Sequence, residues 1–403
     1  MPNWKRLLRW PADVFFFFPE PAFHMAGLYF HIPFCRKACV YCDFHFVTSL
    51  KQRGEMVHAM THELRTEAAN WGFGPFSTVY FGGGTPSVLE SDQLEALLRE
   101  ARENAGISEG AEITLEANPD DLTPERLQAW RTMGINRLSV GVQAFEADTL
   151  AWMNRSHSVQ EVYQGLEAAR KAGFDSFNLD LIFGWPGLTD EIWLSQIRTA
   201  LSLQPDHLSV YSLTVEEKTA LAHQVKKKAV ALPDQNAYAR QFILAHETLV
   251  AEGFGHYEIS NYALPGKESR HNSSYWSGAP YLGIGPSAHS FDGKNRWWNV
   301  AHNARYLQAA ETGFAQQRTS EALQPLDHYH EYLMTAFRRQ EGVNVEWIGS
   351  RYVPGWRQRF GGLIRQWEAA NILYWRNENE LALTPEGWMV ADDLISRFFL
   401  DHL

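Results

Sequence analysis

His31-Ile32-Pro33-Phe34-Cys35-Arg36-Lys37-Ala38-Cys39-Val40-Tyr41-Cys42 carries the reading of this chain. It runs out of an apolar, aromatic segment, Leu28 to Ile32, that reads as a strand. Its three cysteines are all the cysteines of a 403-residue chain. An odd, clustered set is not a disulfide framework; it reads as a metal site in a reducing compartment, so the cytoplasm is the expected location. Three thiolates on a short loop can hold three irons of a [4Fe–4S] cluster and leave the fourth iron open to a small molecule. The alternative is structural zinc with His45 as fourth ligand. Zinc sites more often pair two Cys-x2-Cys halves, and no second half exists here.

Outward from that loop, short apolar runs alternate with amphipathic stretches. The strands expected are 27–32, 77–82, 112–117, 136–141, 177–182 and 207–212. The helices expected between them are 51–70, 91–104, 123–133, 158–172 and 189–202. Strand-then-helix order implies a parallel sheet with right-handed crossovers. Six strands are too few for an eight-unit barrel, so an α/β partial barrel or open sheet is expected. Chemistry in such sheets sits at the C-terminal strand ends. Gly82-Gly83-Gly84-Thr85-Pro86, Glu116, Gln143 and Asp180 all fall there.

Four segments are expected: an N-terminal extension over 1–24, with Met25 a candidate true start; the barrel over 25–255; a linking region over 256–324; and a winged-helix-like module over 325–403. In the barrel segment a long helix is expected at 233–252. In the last segment, helices at 326–340 and 360–370 precede a hairpin around Arg376-Asn377-Glu378-Asn379 and a final helix opened by Thr384-Pro385. That module carries 8 Arg, no Lys and 11 acidic residues, and the whole chain has a net charge of −11. Both argue against nucleic-acid binding. The run Val14 to Phe18 stops at Pro19 and is too short to span a bilayer, so at most peripheral membrane docking is expected.

Cys-x3-Cys-x2-Cys with Tyr41 before the last cysteine resembles the radical S-adenosylmethionine (SAM) enzymes. The flanking text is narrower. Tyr29 to Cys35, Gly82 to Pro86, Arg137 to Gln143, Asn178 to Gly184 and Leu208 to Tyr211 resemble the oxygen-independent coproporphyrinogen III oxidase family, from about residue 25 to the C-terminus. Within it, the oxidase branch has a further Cys two residues after the cluster motif and a longer N-terminal segment. This chain has Phe44 at that position, and 34 residues precede Cys35. Both departures resemble the HemW-type haem chaperone branch, as does the His-Asn-x-x-Tyr-Trp motif from His271 to Trp276.

The resemblance implies a partial (β/α)6 radical-SAM barrel with a C-terminal helical, winged-helix-like domain. It implies a [4Fe–4S] cluster on Cys35, Cys39 and Cys42, SAM, and haem. Gly83, Gly84 and Thr85 would meet the SAM amino group and Glu116 its ribose. Tyr29, Gln143, Arg155 and Asp180 match the other SAM-contact positions, with Tyr41 beside the cluster. His271 is the expected haem ligand, with His256, His289 and His302 as competitors. The bland alternatives are a surface ion pair for Arg155, a solvated strand position for Glu112, and a buried or capping role for His271. His24, His157 and His402 are expected to be solvated. The implied function is haem delivery to respiratory haemoproteins, with a haem-dependent homodimer as a further expectation. The rivals are coproporphyrinogen III oxidation and another radical-SAM reaction on a porphyrin.

Overall fold

The computed structural model describes residues 26–402. The readings made for 1–24, Met25 and His24 lie outside these residues. Six parallel strands run in chain order: β1 (Ala26–Ile32), β2 (Phe76–Gly83), β3 (Ile107–Ala117), β4 (Arg137–Gln143), β5 (Ser176–Phe183) and β6 (His207–Ser212). Parallel register places Tyr29 beside Tyr80, Phe81 beside Leu115, Glu116 beside Ser139, and Asp180 beside Ser209. Successive side chains alternate between faces. Leu28, Phe30, Val79, Phe81, Leu115, Leu138, Val140, Leu179 and Leu208 are buried in one continuous core under the helices. The other face is polar and forms the lumen.

The helices end where their sequences stop them. Thr123 caps Pro124–Thr132, and Ser158 with Glu161 forms a capping box on Val159–Ala172, which Gly173 closes in the left-handed region. The helix expected over 91–104 is α-helical over Ser91–Glu100 and widens to a π turn over Ala101–Ala105. β3 starts at Ile107, ahead of the expected 112. Ile107 pairs with Phe76, Gly110 lies in the left-handed region, and the register resumes at Thr78 beside Glu112.

Residues 256–324, read as a linking region, supply most of the sheet's extension. β7 (Gly255–Glu258) and β8 (Asn261–Ala263) add antiparallel beyond β6. β9 (Tyr281–Ile284) pairs parallel with β1. β10 (His289–Phe291), β11 (Asn295–Asn299) and β12 (Arg318–Ala322) extend it antiparallel. The sheet therefore has 12 strands in the order β12-β11-β10-β9-β1-β2-β3-β4-β5-β6-β8-β7. Strands of three to five residues carry too little periodicity to announce themselves; unpaired backbone groups on the edges of β1 and β6 select them. Glu63 ties this extension to the helix Arg53–Ala68. It is fully buried and accepts from the Gly285 N–H (2.8 Å), Asn299 Nδ2 (2.6 Å) and the Tyr306 hydroxyl (2.5 Å), with Arg318 at 3.4 Å.

The C-terminal part has a second core of Tyr329, Leu333, Phe337, Trp356, Trp388, Phe398 and neighbours. Helices surround β13 (Val343–Asn344), β14 (Leu373–Trp375) and β15 (Glu380–Leu383), in the order β13-β15-β14. Tyr329 donates to the Phe398 carbonyl (2.7 Å) and accepts from Trp356 Nε1 (2.9 Å). Thr384 accepts from the Gly387 N–H at the start of the last helical stretch.

Candidate functional site

The cysteine loop leaves the C-terminal end of β1 and is held by backbone on several sides. Cys35 N donates to Val47 O (3.0 Å), Val40 N to Met153 O (3.2 Å), and Leu221 N to Val40 O (2.8 Å). Asn154 Nδ2 also reaches Ala38 O (2.7 Å). The loop therefore bridges the ends of β1, β4 and β6 at one mouth of the lumen. Cys35, Cys39 and Cys42 are free and half-buried. Thr85 Oγ1 donates to Cys35 Sγ (3.3 Å) and Arg155 Nη1 to Cys39 Sγ (3.3 Å). Burial pushes the Cys35 thiol up to about 12 and the Cys42 thiol up to about 11. A set of three sulfurs with two polar donors aimed at them fits a cluster held by thiolates.

Below the loop, the polar face of the strands converges. Gly84 N donates to Ile32 O (2.9 Å) and Thr85 N to Phe34 O (2.7 Å), so the glycine segment is zipped to the cysteine loop. A Cβ on Gly84 would fall 2.7 Å from Phe34 O and 2.8 Å from Ile32 O, which only glycine avoids. A Cβ on Gly82 would meet Tyr80, Glu116 Oε1 and Tyr29 at 2.9–3.1 Å, so its absence keeps a cradle open between those three side chains. Tyr80 donates to Glu116 Oε1 (2.8 Å), and the Gly83 N–H donates to the same carboxylate. Burial pushes the Glu116 carboxyl up to about 7; Asp180 adds to the rise and Tyr80 and Gly83 oppose it. Burial likewise pushes Asp180 up to about 6, against hydrogen bonds from Ser209 and Asn178.

Arg155 donates through Nη2 to Asn118 Oδ1 and to Gly141 O, both at 2.7 Å. Its Nε is buried without a partner, a donor in reach of a carboxylate in the lumen. Gln143 ends β4 with φ +68°, a strained backbone of the kind found at ligand sites. Tyr41 lies against Cys39, Cys42 and Arg155. The residues expected from the sequence thus meet at one mouth: Tyr29, Tyr41, Gly83, Gly84, Thr85, Glu116, Gln143, Arg155, Asp180 and the three cysteines. Arg155 forms no ion pair among the described residues, against the bland alternative. An orphaned guanidinium donor, a glycine cradle and a carboxylate fit the amino-acid and ribose ends of SAM.

Sequence reasoning missed Tyr80, His31, Asn118, Ser139, Asn178 and Ser209, which complete the polar lumen. Asn178 Nδ2 donates to Ser139 Oγ (2.8 Å), Asp180 Oδ1 (2.6 Å) and Ser209 Oγ (2.9 Å). Tyr29 donates to His31 Nδ1 (3.2 Å), whose Nε2 donates to His45 O (2.9 Å). Stepping by two from Tyr29, Glu116 and Asp180 would have found His31, Asn118 and Asn178; Tyr80, Ser139 and Ser209 lie on the neighbouring strands and needed the sheet register.

His271, the expected haem ligand, is placed away from the cysteine loop. It sits on the helix Arg270–Trp276, which closes the opposite, N-terminal mouth of the barrel beside Gly27 and Thr78. Glu112 is buried, not solvated, and caps that helix by accepting from the Arg270 and His271 N–H groups (3.1 and 2.9 Å). His271 is 1% exposed; its Nδ1 bonds Thr78 Oγ1 and its Nε2 bonds the Tyr275 hydroxyl, both at 2.8 Å. Neither ring nitrogen is open to an iron. His256 is also buried, between His246 Nδ1 (2.9 Å) and Ile259 O (3.3 Å). His157, expected to be solvated, is buried and donates to Val142 O (3.2 Å). His402 is exposed.

The radical SAM superfamily pattern matches residues 29–195. Across 381 residues the chain is 35% identical to "Heme chaperone HemW" of Bacillus subtilis, covering 93% of this chain and 99% of that protein. The chain belongs to the HemW family of radical SAM proteins. The HemW relative of Lactococcus lactis is 32% identical, with 93% and 97% covered. A solved structure of Escherichia coli coproporphyrinogen III oxidase (HemN), described as a radical SAM enzyme, superposes with a TM-score of 0.80 at 25% identity, covering 93% of this chain and 90% of that one. The fold is thus the α/β radical SAM fold with a C-terminal part, and membership in the HemW family carries a haem-related role. Among the described residues no helix is long and apolar enough to cross a membrane.

Proposed function

We propose that this chain handles haem and does not oxidise a porphyrin: it binds haem in the cytoplasm and passes it to respiratory haemoproteins, with a cluster on Cys35, Cys39 and Cys42 and SAM in the lumen regulating transfer or docking. The observation that carries this is Phe44. It stands two residues after Cys42, where the oxidase branch has a further cysteine, and its ring is 68% exposed beside the cluster loop. A cluster held there supplies one-electron reduction at an iron open to SAM. The chain's own residues do the rest: Arg155 pairs the SAM carboxylate, Glu116 accepts from the ribose hydroxyls, and the glycine segment admits the amino group. A haem-dependent homodimer belongs to the same reading.

The second reading is coproporphyrinogen III oxidation, favoured by the superposition on HemN. Anaerobic incubation of the reduced, cluster-loaded chain with SAM and coproporphyrinogen III separates the two. The expected result is no protoporphyrinogen beyond a single turnover. Product at multiple turnovers would sink the chaperone reading.

Glu116 makes the SAM site pH-dependent. A carboxylate accepts from two ribose hydroxyls, and its protonated form does not. With the carboxyl near 7, SAM binding to the cluster-loaded chain weakens about tenfold between pH 8 and pH 6, because the proton competes with the ligand. Glu116→Gln binds more weakly and flattens this profile. A SAM dissociation constant that is level from pH 8 to pH 6 in the unsubstituted chain would remove Glu116 from the ribose site.

A further inference from the structure

Asn178 of β5 stands at the centre of the polar network in the lumen and is buried. Its amide nitrogen has two hydrogens, yet three acceptors lie within reach: Asp180 Oδ1 (2.6 Å), Ser139 Oγ (2.8 Å) and Ser209 Oγ (2.9 Å). The amide therefore has two kinds of arrangement, one that holds the Asp180 carboxylate and one that holds only the serines.

The other side of the amide faces β6. Asn178 and His207 are directly paired across the two strands, and His207 Nδ1 lies 2.6 Å from Asn178 Oδ1. His207 Nε2 lies 2.7 Å from the hydroxyl of Tyr257 on β7, and that hydroxyl accepts from the Ser269 N–H (3.4 Å). Ser269 caps the helix Arg270–Trp276 by accepting from the Asn272 N–H (3.3 Å). His207, Tyr257 and Ser269 are all buried.

The two ends fix the direction of every bond between them. A carboxylate only accepts, so the amide nitrogen of Asn178 faces Asp180 and its oxygen faces His207. That oxygen only accepts, so His207 Nδ1 carries the hydrogen. Burial and the nearby Arg137 hold the imidazole well below its usual range, so it is neutral and Nε2 is bare. Burial keeps the Tyr257 phenol protonated, so it donates to Nε2 and keeps its lone pairs for the Ser269 N–H. All donors thus point from the N-terminal mouth of the barrel to one carboxylate at the cysteine-loop mouth. In such a chain each bond polarises the next, and the charge at its end strengthens all of them.

We propose that His207 is a positioning residue for Asp180: through Asn178 it holds that carboxylate, through Tyr257 it holds the cap of the helix Arg270–Trp276, and the chain so formed opposes SAM. A SAM donor that takes Asp180 Oδ1 releases Asn178 to the serines and weakens every bond as far as Ser269. The coupling is reciprocal, so a chain cut at Tyr257 or His207 favours SAM. The motif from His271 to Trp276 then responds to SAM at the opposite mouth without touching it. This rests on the reading above that places SAM in the lumen.

The test is hydrogen–deuterium exchange of the full, cluster-loaded chain with and without saturating SAM, read by mass spectrometry on the peptide that holds Arg270–Trp276. SAM is expected to quicken exchange of these amides about fivefold, at the lower end of usual couplings between sites. A ligand that merely stiffened the barrel would slow them. Tyr257→Phe removes one hydroxyl and leaves the bond between His207 and Asn178 in place. It is expected to exchange fast at this helix already without SAM, to show no further response, and to bind SAM about fivefold more tightly. His207→Phe is expected to do the same, whereas general damage to the lumen would weaken SAM. The cluster absorbance reports that each variant is folded, and Tyr257→Phe alone decides if His207→Phe loses the cluster. If the unsubstituted chain binds no SAM, the reading of the lumen fails and this inference with it. If it binds SAM and exchange at the helix slows or stays level, or if Tyr257→Phe binds SAM no more tightly, the inference alone is overturned.

Discussion

Replacing Cys35, Cys39 or Cys42 by Ser abolishes the iron–sulfur absorbance of the anaerobically prepared chain and leaves haem uptake in place. Iron and acid-labile sulfide should each fall from roughly four per chain to below one, because a serine hydroxyl does not replace a thiolate on a soft iron site. The loss stays local for a structural reason. The loop is held by Val47, Met153, Leu221 and Asn154 through backbone carbonyls and amides that need no metal. Zinc at one per chain with no sulfide in the unsubstituted chain would end the cluster reading. Loss of haem uptake in all three serine variants would show that haem sits on the cluster loop itself.

Glu63→Ala is the substitution with the largest expected effect on stability. The carboxylate is the common acceptor for Tyr306, Gly285 and Asn299 and lies against Arg318, with no solvent exposure. Truncation leaves the Gly285 N–H and the Tyr306 hydroxyl unpaired in the interior, leaves Asn299 Nδ2 with the Gly285 carbonyl as its acceptor, and strips Arg318 of one of its two acidic partners, which together cost about 3–5 kcal/mol. Glu67 also pairs with Arg318 (3.1 Å), but it keeps solvent contact, so Glu67→Ala costs at most about 1 kcal/mol. Urea unfolding of the two variants beside the unsubstituted chain checks the difference. A Glu63→Ala midpoint no lower than that of Glu67→Ala would show that the extension β9–β12 does not depend on this carboxylate.

Much of the barrel is legible in the sequence because its signals are local. The apolar runs expected at 177–182 and 207–212 are β5 and β6 within two residues at each end, and the helix expected at 158–172 begins at Val159 behind its Ser158 cap. The polar residues at strand ends gather because parallel strands all present their C-terminal ends on one side. Glu63 was not legible: a glutamate on an amphipathic helix gives no hint that its face is dry. Nor was the partnership of Glu112 with the helix at 270–276, since the two are 158 and 159 residues apart in their hydrogen bonds.

By itself the sequence determined the parallel α/β barrel, the three-cysteine loop after its first strand, and the absence of a cysteine at Phe44. These depend on residue type, spacing and periodicity, which are properties of a chain segment. Only the tertiary structure decided what His271 and His289 can do. Both lie in short elements of the same region, and in the chain they are equivalent imidazoles. Packing buries one against Thr78 and Tyr275 at the N-terminal mouth and leaves the other exposed, stacked on Trp298. Whether a ring nitrogen is free is set by which side chains from distant strands come to meet it, and that is a matter of pairing across the sheet.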